Sequence, residues 1–156
     1  MNLDMPQEAN KFTKEQIAMF KKILVGAGQV TKDTFDGLIA KNPQIVILGE
    51  FSSPKGIGAL KIPYIKHKVK VFRQAKSLKS VNNYRFELGW IVSLEKGSGN
   101  KIMGALKCSY SDVYSTVRED NEPMIFLLKK YGYKQEGSPY KSDRGEYNLL
   151  LFIKNK

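Results

Sequence analysis

The first periodic signal in the chain is helical. Thr13 precedes Gln16 at capping-box spacing, and Ile17, Phe20, Ile23 and Leu24 then return at intervals of three and four. That spacing predicts an amphipathic helix stopped near Gly26 and Gly28. Thr31 is placed to cap a second helix with the stripe Phe35, Leu38 and Ile39, which Asn42-Pro43 ends. Ahead of this pair, Met1 to Lys11 is polar and predicts a flexible tail within residues 1–11.

The period then changes. Gln44 to Glu50 is a β-branched run suited to a buried strand, Ser52 to Gly56 carries turn chemistry, and Ile57 to Ile62 predicts the returning strand of a hairpin. The next segment is basic and has Tyr64, Val69, Val71 and Phe72 as apolar anchors, with no assigned element. Arg85 to Leu94 is a strand that turns apolar on both faces, as a central strand does. A glycine-rich turn follows, then a short helical pattern through Ile102, Met103, Ala105 and Leu106. Val113 to Arg118 alternates as a strand, and Asn121 is a good cap for a helix over Met124 to Tyr131, closed by Gly132. Tyr133 to Glu136 and Tyr147 to Ile153 predict a last strand pair around the polar loop Gly137 to Glu146. The order predicts a mixed α/β sheet with helices on both faces.

Composition narrows the class. The 156 residues are 42% hydrophobic and 11% aromatic, the length and content of one domain over 1–156. Such a chain should hide roughly two-thirds of its unfolded surface, which argues against disorder. No apolar stretch approaches the roughly 20 residues of a spanning helix, and the polar N-terminus does not resemble a signal peptide, so a cytoplasmic protein with no membrane partner is expected. One cysteine, Cys108, and one histidine, His67, cannot complete a tetrahedral zinc site or a Ser-His-Asp machine, so no metal is expected. Cys108 reads as a buried helix residue. His67, between Lys66 and Lys68, reads as a solvated loop or strand residue and a poor base.

Charge adds a direction. The 26 basic and 15 acidic residues give +11, a field that draws polyanions: nucleic acid, anionic lipid or a phosphorylated cofactor. From Phe51 to Phe86 there are nine basic residues (Lys55, Lys61, Lys66, Lys68, Lys70, Arg73, Lys76, Lys79, Arg85) and no acidic one. A run of this kind is a solvated face more often than a binding groove.

The turn after the long strand reads Glu95-Lys96-Gly97-Ser98-Gly99-Asn100-Lys101. A glycine turn entering a helix presents unpaired N–H groups at the positive end of the helix dipole, and Lys96 and Lys101 add charge, so the segment is a candidate anion site. It matches neither the Walker loop nor the dinucleotide fingerprint. Gly-Ser-Gly is also a common tight connection.

From Gln44 to Lys156 the order of elements resembles the GNAT superfamily of acyl-CoA-dependent N-acyltransferases. Phe86-Glu87-Leu88-Gly89-Trp90-Ile91-Val92 is similar to that family's fourth strand, and Lys96 to Lys101 stands in the place of its Arg/Gln-x-x-Gly-x-Gly/Ala loop. Thr116 to Met124, then Leu127 to Lys134 with Tyr131-Gly132-Tyr133, is similar to its fifth strand, Asn-led helix and aromatic-Gly-aromatic exit. The resemblance implies a central mixed, mostly antiparallel sheet of six or seven strands. It implies acetyl-CoA as co-substrate and a primary amine as acceptor. It further implies that the main chain at Ile91, Val92 and Ser93 pairs with the pantetheine amides, that Lys96, Gly97, Ser98, Gly99, Asn100 and Lys101 surround the diphosphate, and that Asn121 reaches the pantetheine arm. The fourth and fifth strands would diverge after Trp90 and Thr116 to admit it.

Direct attack of the amine needs a base, and Glu87 is the first choice; the competing reading makes it a structural partner of a lysine. The position at which many family members place a tyrosine acid is Leu128 here, with Tyr131 and Tyr133 as neighbouring substitutes that equally suit packing. Lys101 replaces the family's Gly or Ala, and the loop and helix from Leu94 to Asp112 are shorter than the family's. The alternative function is a non-catalytic nucleic-acid-binding or regulatory module on the same fold, with nucleic acid the less favoured partner. Lys11 to Lys41 and Ile62 to Tyr84, which the resemblance assigns to specificity, carry no substrate motif; an anionic acceptor and a homodimer both stay open.

Overall fold

The computed structural model describes residues 5–107 and 112–154; Cys108 lies outside them. The elements are β1 (Gln7–Glu8), α1 (Lys14–Gly26), α2 (Lys32–Ile39), β2 (Gln44–Glu50), β3 (Ser53–Lys61), α3 (Ile65–Gln74), β4 (Phe86–Ser93), α4 (Ser98–Leu106), β5 (Val113–Arg118), α5 (Glu122–Lys130), β6 (Tyr133–Lys141) and β7 (Asn148–Lys154). The strands follow the order β1-β2-β3-β4-β5-β7-β6, mostly antiparallel, as expected for the predicted class. The chain divides into two compact units, and β4 supplies residues to both.

The first unit holds the chain up to Ile62 and resumes at Gly89 through α4. The capping box forms as its spacing predicts: Gln16 N–H donates to Thr13 Oγ1 at 3.1 Å, and Thr13 N–H donates to Gln16 Oε1 at 2.8 Å. Helices α1 and α2 turn Phe20, Leu24 and Phe35 inward. These pack with Ile45, Ile47, Ile57, Ala59 and Trp90 into one apolar core. The hairpin is tighter than its composition suggests. Glu50 pairs with Ser53, so Phe51-Ser52 alone turns the chain, and Pro54 and Lys55 belong to β3. A register shift at Leu48/Gly49 takes up the mismatch.

The expected tail is corrected from Gln7 onward. Gln7 and Glu8 pair with Ile45 and Gln44 as β1, Ala9 N–H donates to Pro43 O at 2.8 Å, and Phe12 is buried. A short edge strand has almost no period to read, and the β2 backbone supplies the partner groups that fix it.

The second unit holds Pro63–Leu88 and the chain from β5 onward. Here β4 and β5 run parallel through the pairs Phe86–Val113 and Glu87–Tyr114. Strand β5 pairs antiparallel with β7 from Tyr114–Ile153 to Arg118–Leu149. Strand β6 pairs with β7 from Tyr133–Lys154 to Lys141–Asn148, with a shift between Glu136 and Tyr140. Both β6 and the final loop therefore differ from expectation: the strand extends through Gly137, and the connection is short. Gly137, at φ +70°, lies so close to the end of α3 that a β-carbon would fall 2.0 Å from Ala75 O. Ser138 N–H donates to that carbonyl at 2.7 Å.

Helix α3 is the element without a sequence signature. Its buried stripe is Lys68, Val71 and Phe72, followed by Ala75, and the stripe opens on a lysine. Lys68 Nζ donates to Tyr84 O at 3.0 Å. Desolvation holds the Lys68 pKa below the ordinary lysine value. His67 is thus a helical residue rather than a loop or strand one. The basic run is not a uniformly free face either, because Lys68 is buried and Lys70 pairs with Asp143.

Candidate active site

In the first unit, the end of β4 is shaped by one strained residue. Trp90 adopts φ +56° inside the strand, a region sparsely used by large side chains. Its indole is held by Phe35 at 5.2 Å and Phe20 at 6.0 Å between ring centroids. Lys61 Nζ lies 5.5 Å from the indole centroid, a cation–π contact. These contacts hold a conformation that an isolated strand would relax. Beyond it, Ile91 and Val92 are half-buried, Val92 packing on the apolar core, and Ser93 is exposed. Ile91 O accepts a hydrogen bond from Gln29 Nε2 at 2.7 Å. Ser93 Oγ donates to Glu95 O at 2.8 Å, and Leu94 N–H donates to Lys55 O at 2.9 Å.

The turn into α4 places Lys96 and Gly97 on the surface, Gly97 at φ +87° as the residue before the first helical turn. No side chain caps this helix. Ser98 N–H donates back to Glu95 O at 3.0 Å and Lys101 N–H to Gly97 O at 3.4 Å. Gly99 and Asn100, both half-buried, occupy the intervening turn. Ser98 is buried and Lys101 is exposed. A β-carbon at Gly97 would meet nothing within 4 Å, so the approach to this turn is open.

In the second unit, Glu87 is 5% exposed. Its Oε2 is 3.4 Å from His67 Nε2, and the His67 side chain is 51% exposed. The hydroxyls of Tyr114 and Tyr140 are buried and have no hydrogen-bond partner. Burial first, then the Glu87 charge, pushes both phenols well above the ordinary tyrosine pKa. Ser115 Oγ donates to Leu88 O at 3.0 Å, tying β5 to β4 beside this group.

Asn121 caps α5, its Oδ1 accepting from Met124 N–H at 3.2 Å. The side chain therefore has its amide nitrogen left to offer. Tyr131 ends the same helix, half-buried, with Lys130 Nζ 5.6 Å from its ring. Leu128 and Tyr133 are buried. The depression lined by Glu119, Asp120, Lys141, Glu146, Tyr147 and Asn148 contains none of the predicted site residues. Arg118 bonds two of its lining side chains together, donating to Asp120 and lying 4.0 Å from the Tyr147 ring centroid. Among the described residues no group of three or more His, Cys, Asp or Glu is placed to hold a metal, and no helix is long and apolar enough to cross a membrane.

Sequence reasoning missed Gln29 on Ile91, His67 on Glu87, and the paired orphan hydroxyls. The signals were weak: Gln29 sits in an unremarkable turn, and His67 is hidden among lysines. A glutamate inside an apolar strand was the one visible flag.

No family model matches the chain. A curated relative is subunit 17 of the Mediator of RNA polymerase II transcription from Saccharomyces cerevisiae, 26% identical over 166 residues. That match takes in 98% of this chain and 23% of that protein, so the chain spans less than a quarter of its relative. Among solved structures, the chain is similar to an acyl-CoA N-acyltransferase from Pseudomonas aeruginosa, with TM-score 0.64, 14% identity, and coverage of 94% of this chain and 97% of that one. It is similar to a GNAT-family protein from Desulfovibrio desulfuricans, with TM-score 0.61, 11% identity and 94% coverage of both. A GNAT-family acetyltransferase from Streptococcus agalactiae gives TM-score 0.58, 16% identity and 93% coverage of both. The fold of this chain is the GNAT fold.

Proposed function

We propose that this chain, on that fold, is an N-acyltransferase that passes an acyl group, acetyl first among them, from acyl-CoA to a primary amine by direct attack. The observation that carries the reading is the entrance to α4. Gly97 in the left-handed region, an open approach and a first turn without a side-chain cap, flanked by exposed Lys96 and Lys101, fit a diphosphate. Gly97, Ser98, Gly99 and Asn100 would line that group, with Lys96 and Lys101 supplying charge. The Ile91–Ser93 main chain would pair with the pantetheine amides as an added strand does, once Gln29 releases Ile91 O. Asn121 would add its free amide nitrogen.

When bound, acyl-CoA supplies a thioester carbonyl open to an amine. The residues of the chain then do the rest: they hold the reactants, and Glu87 takes the ammonium proton. Tyr131 is assigned the return of a proton to the leaving thiolate. The buried environment of Glu87 suits a base better than a surface carboxylate would, since water competes less for its charge.

Isothermal titration with acetyl-CoA tests the reading. Saturable binding is expected, and Gly97→Val, which favours leaving the left-handed φ that aims the N–H groups of the turn, should weaken it about tenfold, or about 1.4 kcal/mol. Absence of binding at millimolar acetyl-CoA overturns it.

A further inference from the structure

In the second unit a buried carboxylate meets an exposed imidazole. Glu87 is 5% exposed on β4, and the His67 side chain on α3 is 51% exposed, yet Oε2 and Nε2 are 3.4 Å apart. Tyr114 on β5 and Tyr140 on β6 lie near enough for the Glu87 charge to act on their phenols, whose hydroxyls are buried. Of the lysines near His67 on α3, Lys66 is exposed to solvent, Lys68 bonds Tyr84 O, and Lys70 pairs with Asp143 on the β6–β7 connection. The buried carboxylate thus has within 3.4 Å an imidazole whose side chain is half exposed to water.

We propose that His67 is the proton outlet of Glu87, a positioning and relay residue rather than one that touches the substrate. The inference rests on the acyltransferase reading above, with Glu87 as base. A buried base that accepts a proton in every turnover must lose it before the next. The accounting is one proton in and one out. An N–H bond of the substrate ammonium breaks as a Glu87 O–H bond forms. That proton then passes to the lone pair of His67 Nε2, while Nδ1–H gives its proton to water. The imidazole ends protonated on Nε2 and returns to its starting tautomer by exchange with solvent. No oxidant, reductant or further reactant is required. His67 in this role exploits its exposure, which a purely structural partner of a buried carboxylate would not need.

His67 is the single histidine of the chain, which makes it directly observable. In the full-length protein, the imidazole Nε2 resonance should shift on Glu87→Gln, reporting the contact without any turnover; an unmoved resonance overturns the proposal. Turnover is followed as free thiol release from acetyl-CoA with a panel of primary amines, from alkylamines to lysine peptides. His67→Ala should lower kcat roughly 10–100-fold and leave the KM for acetyl-CoA within about twofold. Added imidazole should restore kcat in His67→Ala and leave Glu87→Gln unrescued. His67→Gln, which keeps the bulk and a hydrogen bond, serves as the folding control and should show the same loss without rescue by shape. If Glu87→Gln loses activity while His67→Ala keeps it, the relay is wrong and the base assignment stands. If Glu87→Gln keeps full activity, the base assignment fails and the relay falls with it.

Discussion

The two halves of β4 build opposite kinds of core. In the first unit Trp90 joins Phe20 and Phe35 in a cluster of rings packed on apolar side chains, with the ammonium of Lys61 over the indole. In the second, Phe72 packs on Tyr84 at 5.4 Å and on Tyr114 at 5.3 Å, so aromatic area is again the main content. There, however, the cluster encloses Glu87 and two unpartnered hydroxyls. The first core is arranged for stability and spends part of it on the Trp90 backbone. The second gives up stability outright by burying charge and unbonded oxygen, a cost of about 1–3 kcal/mol for each buried polar group left unsatisfied. A carboxylate kept dry is what acid–base chemistry needs, so the costlier core is where the chemistry is proposed.

The contrast is open to direct test. The largest effect is expected from Trp90→Ala, which empties the first core and should cost about 3–5 kcal/mol in urea unfolding. A loss under 1 kcal/mol would mean that the ring cluster does not hold the Trp90 backbone in its left-handed conformation. The opposite sign is expected across the contrast: Tyr114→Phe and Tyr140→Phe each remove an orphan hydroxyl without changing shape and should stabilise by about 1–2 kcal/mol. Destabilisation by either would show that the hydroxyl is bonded.

Alkali should separate the two cores as well. Both phenols titrate above the ordinary value of 10.0 in the folded chain and at that value when unfolded. Their contribution is therefore complete below pH 10 and is lost as the pH climbs beyond it, because only the unfolded chain releases those protons. Absorbance at alkaline pH should show some tyrosines ionising readily and two only with unfolding; smooth titration of all eight before unfolding would refute the burial. The smallest effect belongs to the first unit. Gln29→Ala frees Ile91 O and should tighten acetyl-CoA binding about fivefold, the equivalent of one hydrogen bond of about 1 kcal/mol. Weaker binding would make Gln29 a ligand contact instead.

Much of the fold was legible because its signals are local. Thr13 and Gln16, Thr31, and Asn121 each reach a donor only three residues away, and each cap forms. Strand β5 was read to its residue limits from alternation and β-branching. Helix α3 was not legible, because the first residue of its buried stripe is Lys68, whose ammonium is satisfied by Tyr84 O sixteen positions on. In the candidate site, the glycine turn and Glu87 stood out as residue types in unusual places. The left-handed Trp90 did not, since sequence rules place a tryptophan at φ +56° rarely.

The sequence by itself therefore determined the elements: capped helices, a hairpin, an alternating strand, and a glycine turn entering a helix, all specified within a turn or a few residues. Tertiary structure decided what those elements do at the site. It tied the N-terminal segment to β2, gave Ile91 O to Gln29 across 62 positions, and set His67 against Glu87 across 20. Such pairings depend on the whole packed arrangement, because no local pattern encodes which distant side chain will satisfy a buried or strained group once water has been removed from it.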